Sequence, residues 1–291
     1  MSRDPATRVA RRWVVCADDF GLDRGTIDGT IALIKLGRVT ATSVLADSPN
    51  WRAAAPQLKE LSGSADIGLH LNLTEALDSR GRSWSLPRLV VQSQLRLLPR
   101  WRVHDHIQRQ LDAFTDGLGR LPDFIDGHQH VHQLPVVREV LVESVLMREP
   151  KTLPWMRVCL PPEGDSDYKA RVIGLLGAGA LAELARSQGF PTSKWLVGSY
   201  GFQPKRDTYM AKVRWWLHAS GDGTVFMCHP STRPSSKDPI GPARRMELGV
   251  LAGQAYADAL SNSGVTVARG TTIFRARASK SPPPGTVDRA G

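Results

Sequence analysis

Short apolar runs alternate along the chain with longer stretches in which apolar residues recur every three to four positions, and Gly, Pro, Ser or Asn separate the two patterns. The first pattern predicts strands over 13–16, 39–46, 65–74, 121–126, 155–160, 194–197, 224–228 and 265–268. The second predicts helices over 26–36, 51–61, 104–118, 135–147, 168–187, 207–220 and 242–261. Punctuation supports these boundaries: Asp23 suits an N-cap, Gly37 a C-cap, and Pro135 the first turn of a helix. Within 65–74 the alternation of Ile67, Leu69, Leu71 and Leu73 turns Gly68, His70 and Asn72 to one face. The Arg- and Leu-rich stretch 78–102 predicts no regular element and is long enough to be an excursion over the active face. Strands alternating with helices through short loops argue for a parallel sheet. Some eight such units argue for an α/β fold of the (β/α) barrel type, TIM-like or distorted.

A chain of 291 residues can bury a large core as one domain. The expected layout is a basic extension over 1–12, a single barrel domain over 13–278, and a disordered tail over 279–291 that carries Pro282-Pro283-Pro284. Thirty-eight basic against 28 acidic residues give a net charge of +10, spread over Arg3 to Arg12, Arg96 to Arg109 and Arg275 to Lys280. No aromatic-interleaved basic stripe accompanies them, so solvated surface is the reading and nucleic acid is not an expected partner. Cys16, Cys159 and Cys228 each fall in an apolar run with no CxxC spacing, which excludes a zinc ribbon or a disulfide framework. Residues 1–12 lack an apolar core segment, and no window approaches the roughly 20 apolar residues of a membrane span. Cytoplasmic location and no integral membrane span are therefore expected.

Chemistry concentrates at the predicted strand ends. Asp18 and Asp19 follow the first strand, and with Asp23 available to cap the next helix, neither is needed for local structure. A side-by-side pair can divide labour between a cation and a proton, although the dipeptide alone also fits a capped turn beside a solvated acid. Five of the 8 histidines, His70, His128, His130, His132 and His229, sit at or after strand ends. If His128, His130 and His132 are extended, alternate residues share a face, and neutral imidazoles are preferred ligands for divalent metals. Asp19, His70 and one of the tandem histidines would make a two-His, one-carboxylate site with positions open for water and substrate. The same elements suit a barrel phosphoesterase or amidohydrolase, or a catalytically silent sugar-binding barrel.

The four ordered motifs Ala17-Asp18-Asp19-Phe20-Gly21-Leu22, Gly68-Leu69-His70-Leu71-Asn72-Leu73-Thr74, Asp126-Gly127-His128-Gln129-His130-Val131-His132 and Met227-Cys228-His229-Pro230 resemble the YdjC-like carbohydrate deacetylases, a group that includes chitooligosaccharide deacetylases. The resemblance implies a barrel related to polysaccharide deacetylases. It also implies one divalent metal ion, and removal of an N-acetyl group from an amino sugar, free or lipid-linked, with release of acetate. Carried over by position, Asp19, His70 and His128 are the metal ligands, Asp18 is the general base, and His229 is the general acid or its support. The family's last motif usually ends His-Pro-Gly, whereas Ser231 follows Pro230 here, which bears on the shape of that loop. His130, His132 and Asn72 are candidates for substrate contact or for orienting a ligand. Arg157, a charge within a strand, is a candidate for substrate contact, for orienting Asp18, or for a salt bridge outside the barrel. Two His and one Asp suit Zn2+, while a carboxylate with waters suits Mg2+. The resemblance also suggests a homodimer.

Overall fold

Eight parallel strands and eleven helices alternate through residues 11–77 and 83–278, which the computed structural model describes. The predicted extension up to residue 10, the start of the 78–102 excursion and the predicted tail from 279 lie outside the described residues. In chain order the elements are β1 (Arg11–Phe20), α1 (Arg24–Lys35), β2 (Ala41–Val44), α2 (Trp51–Glu60), β3 (Asp66–Leu71), α3 (Leu86–Gln94), α4 (Arg100–Leu118), β4 (Phe124–Gly127) and α5 (Val137–Leu146). There follow β5 (Trp155–Met156), α6 (Tyr168–Leu175), α7 (Ala178–Ser187), β6 (Trp195–Val197), α8 (Arg206–Ala219), β7 (Thr224–Cys228), α9 (Gly241–Leu251), α10 (Gln254–Ser263), β8 (Val265–Val267) and α11 (Gly270–Ala278).

The strands run β5-β4-β3-β2-β1-β7-β6, and β8 pairs with the first residues of β1. The two ends of this path meet where Met156 exchanges backbone hydrogen bonds with Pro191 and Ser193, just ahead of β6. The result is a distorted (β/α) barrel, as the element order predicts. β1 is buried on both faces from Trp13 onward, because helices cover its outer side and side chains fill the inner one. Val14, Cys16, Ala41, Phe124, Val225 and Met227 belong to one buried cluster, while Val15, Ala17, Ile67, Leu69, Ile125 and Phe226 pack with the helices in the other. That parity places Asp18 in line with Val14 and Cys16, Asp126 in line with Phe124, and His229 in line with Val225 and Met227. In β3 the inner face needs Gly68, since a Cβ there would lie 2.5 Å from the Phe124 ring.

Several boundaries differ from those predicted, each for a local reason. The 168–187 helix is two helices, because Gly177 has φ 135° and a Cβ there would meet the Gln133 carbonyl oxygen. The 242–261 helix likewise breaks at Gly253. The 155–160 strand is confined to β5, since Val158 N–H donates to Ser193 Oγ instead of continuing the ladder. The excursion contains α3 and the first turn of α4, and α11 adds a helix to the last residues of the expected domain, where none was predicted.

Candidate active site

At the carboxyl end of β1 the ladder slips. Cys16 and Ala17 register with Ala41 and Thr42, but Phe20 registers with Val44, so β1 holds one extra residue. Asp19 absorbs it with φ 64°, and the bulge re-aims its side chain. Asp18 and Asp19 are consequently both buried but have different partners.

Asp19 lies between two imidazoles and a guanidinium. Its Oδ1 is 3.2 Å from His70 Nε2 and 3.0 Å from His128 Nδ1, and Arg244 Nη2 donates to Oδ2 at 2.7 Å. One carboxylate oxygen of Asp19 and one ring nitrogen each of His70 and His128 fall within 4.8 Å of one another. His70 Nδ1 is 2.6 Å from Asp126 Oδ1, which commits that nitrogen as the donor and leaves the Nε2 lone pair facing Asp19. One carboxylate oxygen and two imidazole nitrogens, with the outer side of one ring already fixed, fit a divalent cation. Without a cation the same geometry favours protonated rings. Burial opposes the charge on His70, but Asp126, Asp19 and Asp18 outweigh it and raise its pKa to about 10; His128 is raised in the same way, chiefly by Asp19.

Asp18 belongs to a second, deeper cluster. Arg157 Nη1 donates to both its oxygens at 2.8 and 2.9 Å and reaches Asp126 Oδ2 at 3.0 Å, while Ser43 Oγ donates to Asp18 Oδ1 at 3.2 Å. Arg157 is 0% exposed. Burial alone would raise the Asp18 carboxyl; Arg157 and His70 override it and hold it well below the usual carboxylate range. The Arg157 guanidinium thus lies in the interior, bonded to Asp18 and Asp126, and not outside the barrel.

His229 follows β7, whose Cys228 registers with Ala17, so it stands beside Asp18 across the sheet. Its backbone N–H donates to Glu247 Oε2, its Nδ1 is 3.9 Å from the same oxygen, and its ring meets Phe202 edge-on at 5.2 Å between centroids. Burial pushes the His229 pKa down to about 4 and that of Glu247 up to about 7. Glu247 also accepts from Tyr200 Oη at 2.6 Å. Ser231 has a negative φ, so the position after Pro230 takes a side chain without backbone strain.

The tandem histidines do not share a face. His128–Gln133 winds into 3-10 turns kinked at Gln129 (φ 52°) and His130 (φ 61°), which corrects the extended segment expected from the alternation. His128 alone reaches Asp19. His132 is buried with Nε2 2.8 Å from the Arg157 carbonyl, and His130 Nδ1 lies 3.5 Å from Cys159 Sγ. Gly127 permits this fold-back, since a Cβ would stand 2.9 Å from His132 N. Asn72 braces its own loop: its amide donates to Asp47 and the Glu75 carbonyl, and its Oδ1 accepts from Thr74 and Glu75 N–H. That loop carries Glu75 to 3.7 Å from His128 Nε2. Asp126, Arg244, Glu247, Ser43 and Glu75 were not assigned roles from the sequence. Arg244, Glu247 and Leu251 are buried at helical spacing, so two charges on an apolar stripe were the available signal for α9.

The fold is thus a distorted (β/α) barrel that gathers Asp19, His70 and His128 at the carboxyl ends of its strands, a donor set that fits a divalent cation. The chain belongs to the YdjC-like protein family, whose profile matches residues 12–262. It is 34% identical over 154 residues to a human carbohydrate deacetylase, an alignment covering 48% of this chain and 46% of the human protein, so the chain spans about half the length of that relative. It is 25% identical over 264 residues to a chitooligosaccharide deacetylase of Serratia marcescens, covering 86% of this chain and 94% of that one. Among solved structures, an Enterococcus faecalis V583 protein provisionally assigned to cellobiose-phosphate cleavage superposes with TM-score 0.68 at 21% identity, covering 91% of this chain and all of that one. A peptidoglycan N-acetylglucosamine deacetylase superposes with TM-score 0.52 at 12% identity, covering 92% and 89%. These two likenesses concern the fold.

Proposed function

We propose that the chain is a hydrolase that removes the N-acetyl group from an acetylated amino sugar, and that it uses one divalent metal ion, Mg2+ or Zn2+. The convergence of Asp19, His70 and His128 beside an Arg157-bound Asp18 carries this reading, and the names of the curated relatives support the substrate class.

Asp19, His70 and His128 would hold the cation, which supplies a Lewis acid to polarise the amide carbonyl and acidify water. Asp18 is the proton acceptor. Its carboxylate stays ionised at neutral pH, and Arg157 holds it in place through both oxygens. His229 is the proton donor to the departing amine. With a pKa of about 4 it rests neutral at pH 7, so it donates only after taking up a proton: Asp18 accepts one from the attacking water and passes it to His229, which gives it to the nitrogen as the C–N bond breaks. Glu247, bound to the His229 backbone, holds that residue in place. A two-metal phosphoesterase or amidohydrolase fits less well, because the other group with metal-ligand spacing among the described residues, Cys16, Asp18 and Asp126, already contains the Arg157 cation.

The test is acetate release from N-acetylated sugars, from di-N-acetylchitobiose to lipid-linked glycans, by metal-analysed protein with and without chelator. Chelator-sensitive release at one ion per chain is expected. Two ions per chain with phosphate ester cleavage would replace the reading.

A further inference from the structure

The strongest feature outside the catalytic cluster is the corner between α3 and α4. Leu95, Leu97 and Trp101 are 63%, 66% and 72% exposed, and Val91 is 57% exposed one helical turn before Leu95. The corner is built rather than frayed: Leu97 N–H returns to the Gln92 carbonyl, Leu98 is buried as an anchor, and Ser93 Oγ donates to the Pro135 carbonyl. Monomeric surfaces rarely hold large apolar side chains together in water without a partner.

Topology puts this corner on the catalytic face. α4 delivers the chain to the amino end of β4, so its first turn lies at the carboxyl ends of the strands, where Asp19, His70 and His128 stand. The corner is tied there to the start of α5, through Arg96–Glu139 at 3.2 Å and Arg100–Glu143 at 2.7 Å. Gln94 also reaches the Leu176 carbonyl, which brings α6 alongside, and Leu175 is 84% exposed.

The charge around the patch selects the partner. Between Ser83 and His104 the chain carries Arg88, Arg96, Arg100 and Arg102 and no acidic residue. Arg88 has no ion-pair partner among the described residues, and Arg102 stacks on Trp84 at 4.1 Å. Arg96 and Arg100 are held by Glu139 and Glu143, so Arg88 and Arg102 supply the excess positive charge, and aliphatic side chains and an indole projecting from a helical corner beside them match the boundary between acyl chains and anionic headgroups. A sugar-binding face would instead need free polar side chains beside the Trp, and the one polar side chain among Leu95, Arg96, Leu97 and Trp101 is Arg96, which is held by Glu139.

We propose that the α3–α4 corner docks the protein on an anionic lipid bilayer, with Leu95, Leu97 and Trp101 inserted at the interface and the mouth of the barrel turned toward the headgroups. The proposal does not depend on the reaction performed at that mouth.

It is tested by co-sedimentation of the full chain with vesicles of equal phosphatidylglycerol and phosphatidylcholine, against vesicles of phosphatidylcholine alone. Binding about tenfold stronger to the anionic vesicles, and released by 0.5 M salt, is expected. The triple variant Leu95→Ser, Leu97→Ser, Trp101→Ser should lose about tenfold or more of that binding with an unchanged melting temperature, because all three side chains are exposed. Arg88→Gln, which leaves the Arg96–Glu139 and Arg100–Glu143 ties in place, should lose severalfold. No binding by the unaltered chain overturns the proposal, as does binding that the triple variant retains, which would trace it to basic residues elsewhere. A dimer seen by light scattering that only the triple variant dissociates, with vesicle binding unchanged, would make the patch a self-interface and also overturn it.

Discussion

Asp18 and Asp19 follow one another on β1, yet the bulge sends the first down to Arg157 and Asp126 and the second up to Arg244, His70 and His128. Both are buried carboxylates held ionised by a guanidinium. What separates them is the company on their other side: two imidazole nitrogens for Asp19, and a compensated ion network for Asp18. Carboxylate chemistry is thus set by which cation faces it, and adjacent identical residues can serve a metal and a proton separately.

The widest separation is expected between Asp19→Asn and Asp18→Asn. Asp19→Asn removes the only carboxylate ligand, so metal affinity measured by calorimetry should fall about 100-fold or more, and chelator-sensitive acetate release with it. Asp18→Asn should bind metal within a few-fold of the unaltered chain while turnover falls by about 10²–10⁴. Equal loss of metal in both variants would erase the distinction between the two acids.

The next largest effect concerns the network beneath Asp18. Arg157→Met takes from Asp18 and Asp126 the guanidinium they share in the interior, a loss of about 3–5 kcal/mol in urea unfolding at pH 7. The cost should shrink on adding Asp18→Asn, because the stranded charge is then gone. If Arg157→Met unfolds at the same urea concentration as the unaltered chain, the network is not what steadies Asp18.

How far these arrangements were readable from sequence follows from what fixes them. The strands were legible because a sheet covered on both faces writes continuous apolar runs, and Asp18, His70 and His229 were legible as polar residues at the ends of those runs. The backbone of His128–Gln133 was not, since alternating histidines imply extension and nothing local announces positive φ at Gln129 and His130. Arg244 and Glu247 were obscured because α9 is distant in sequence and its buried stripe mixes charge with Ala243 and Val250. The 168–187 and 242–261 segments were read as single helices because Gly is tolerated inside helical patterns, and the packing at Gly177 that forbids it here is tertiary.

The smallest effect separates the ligand histidine from its neighbours in the same run. His132 is fully buried, donates through Nε2 to the Arg157 carbonyl, and has its pKa pushed down to about 4 by burial and by the Arg157 charge. In the unfolded chain it titrates near 6.5, so between about pH 6.5 and 4 the unfolded state carries a proton that the folded state refuses. Stability that His132 contributes above pH 6.5 is therefore lost as pH falls through that window, by at most about 3 kcal/mol. His229, depressed to about 4 by burial, acts in the same direction, while Glu247, raised to about 7, loses stability as pH rises from about 4.5. In His132→Gln the pH slope of the urea midpoint below pH 6.5 should be shallower than in the unaltered chain, with metal affinity within a few-fold. An unchanged slope would mean that His132 is protonated in the fold, and its hydrogen bond to Arg157 would then have to be redrawn.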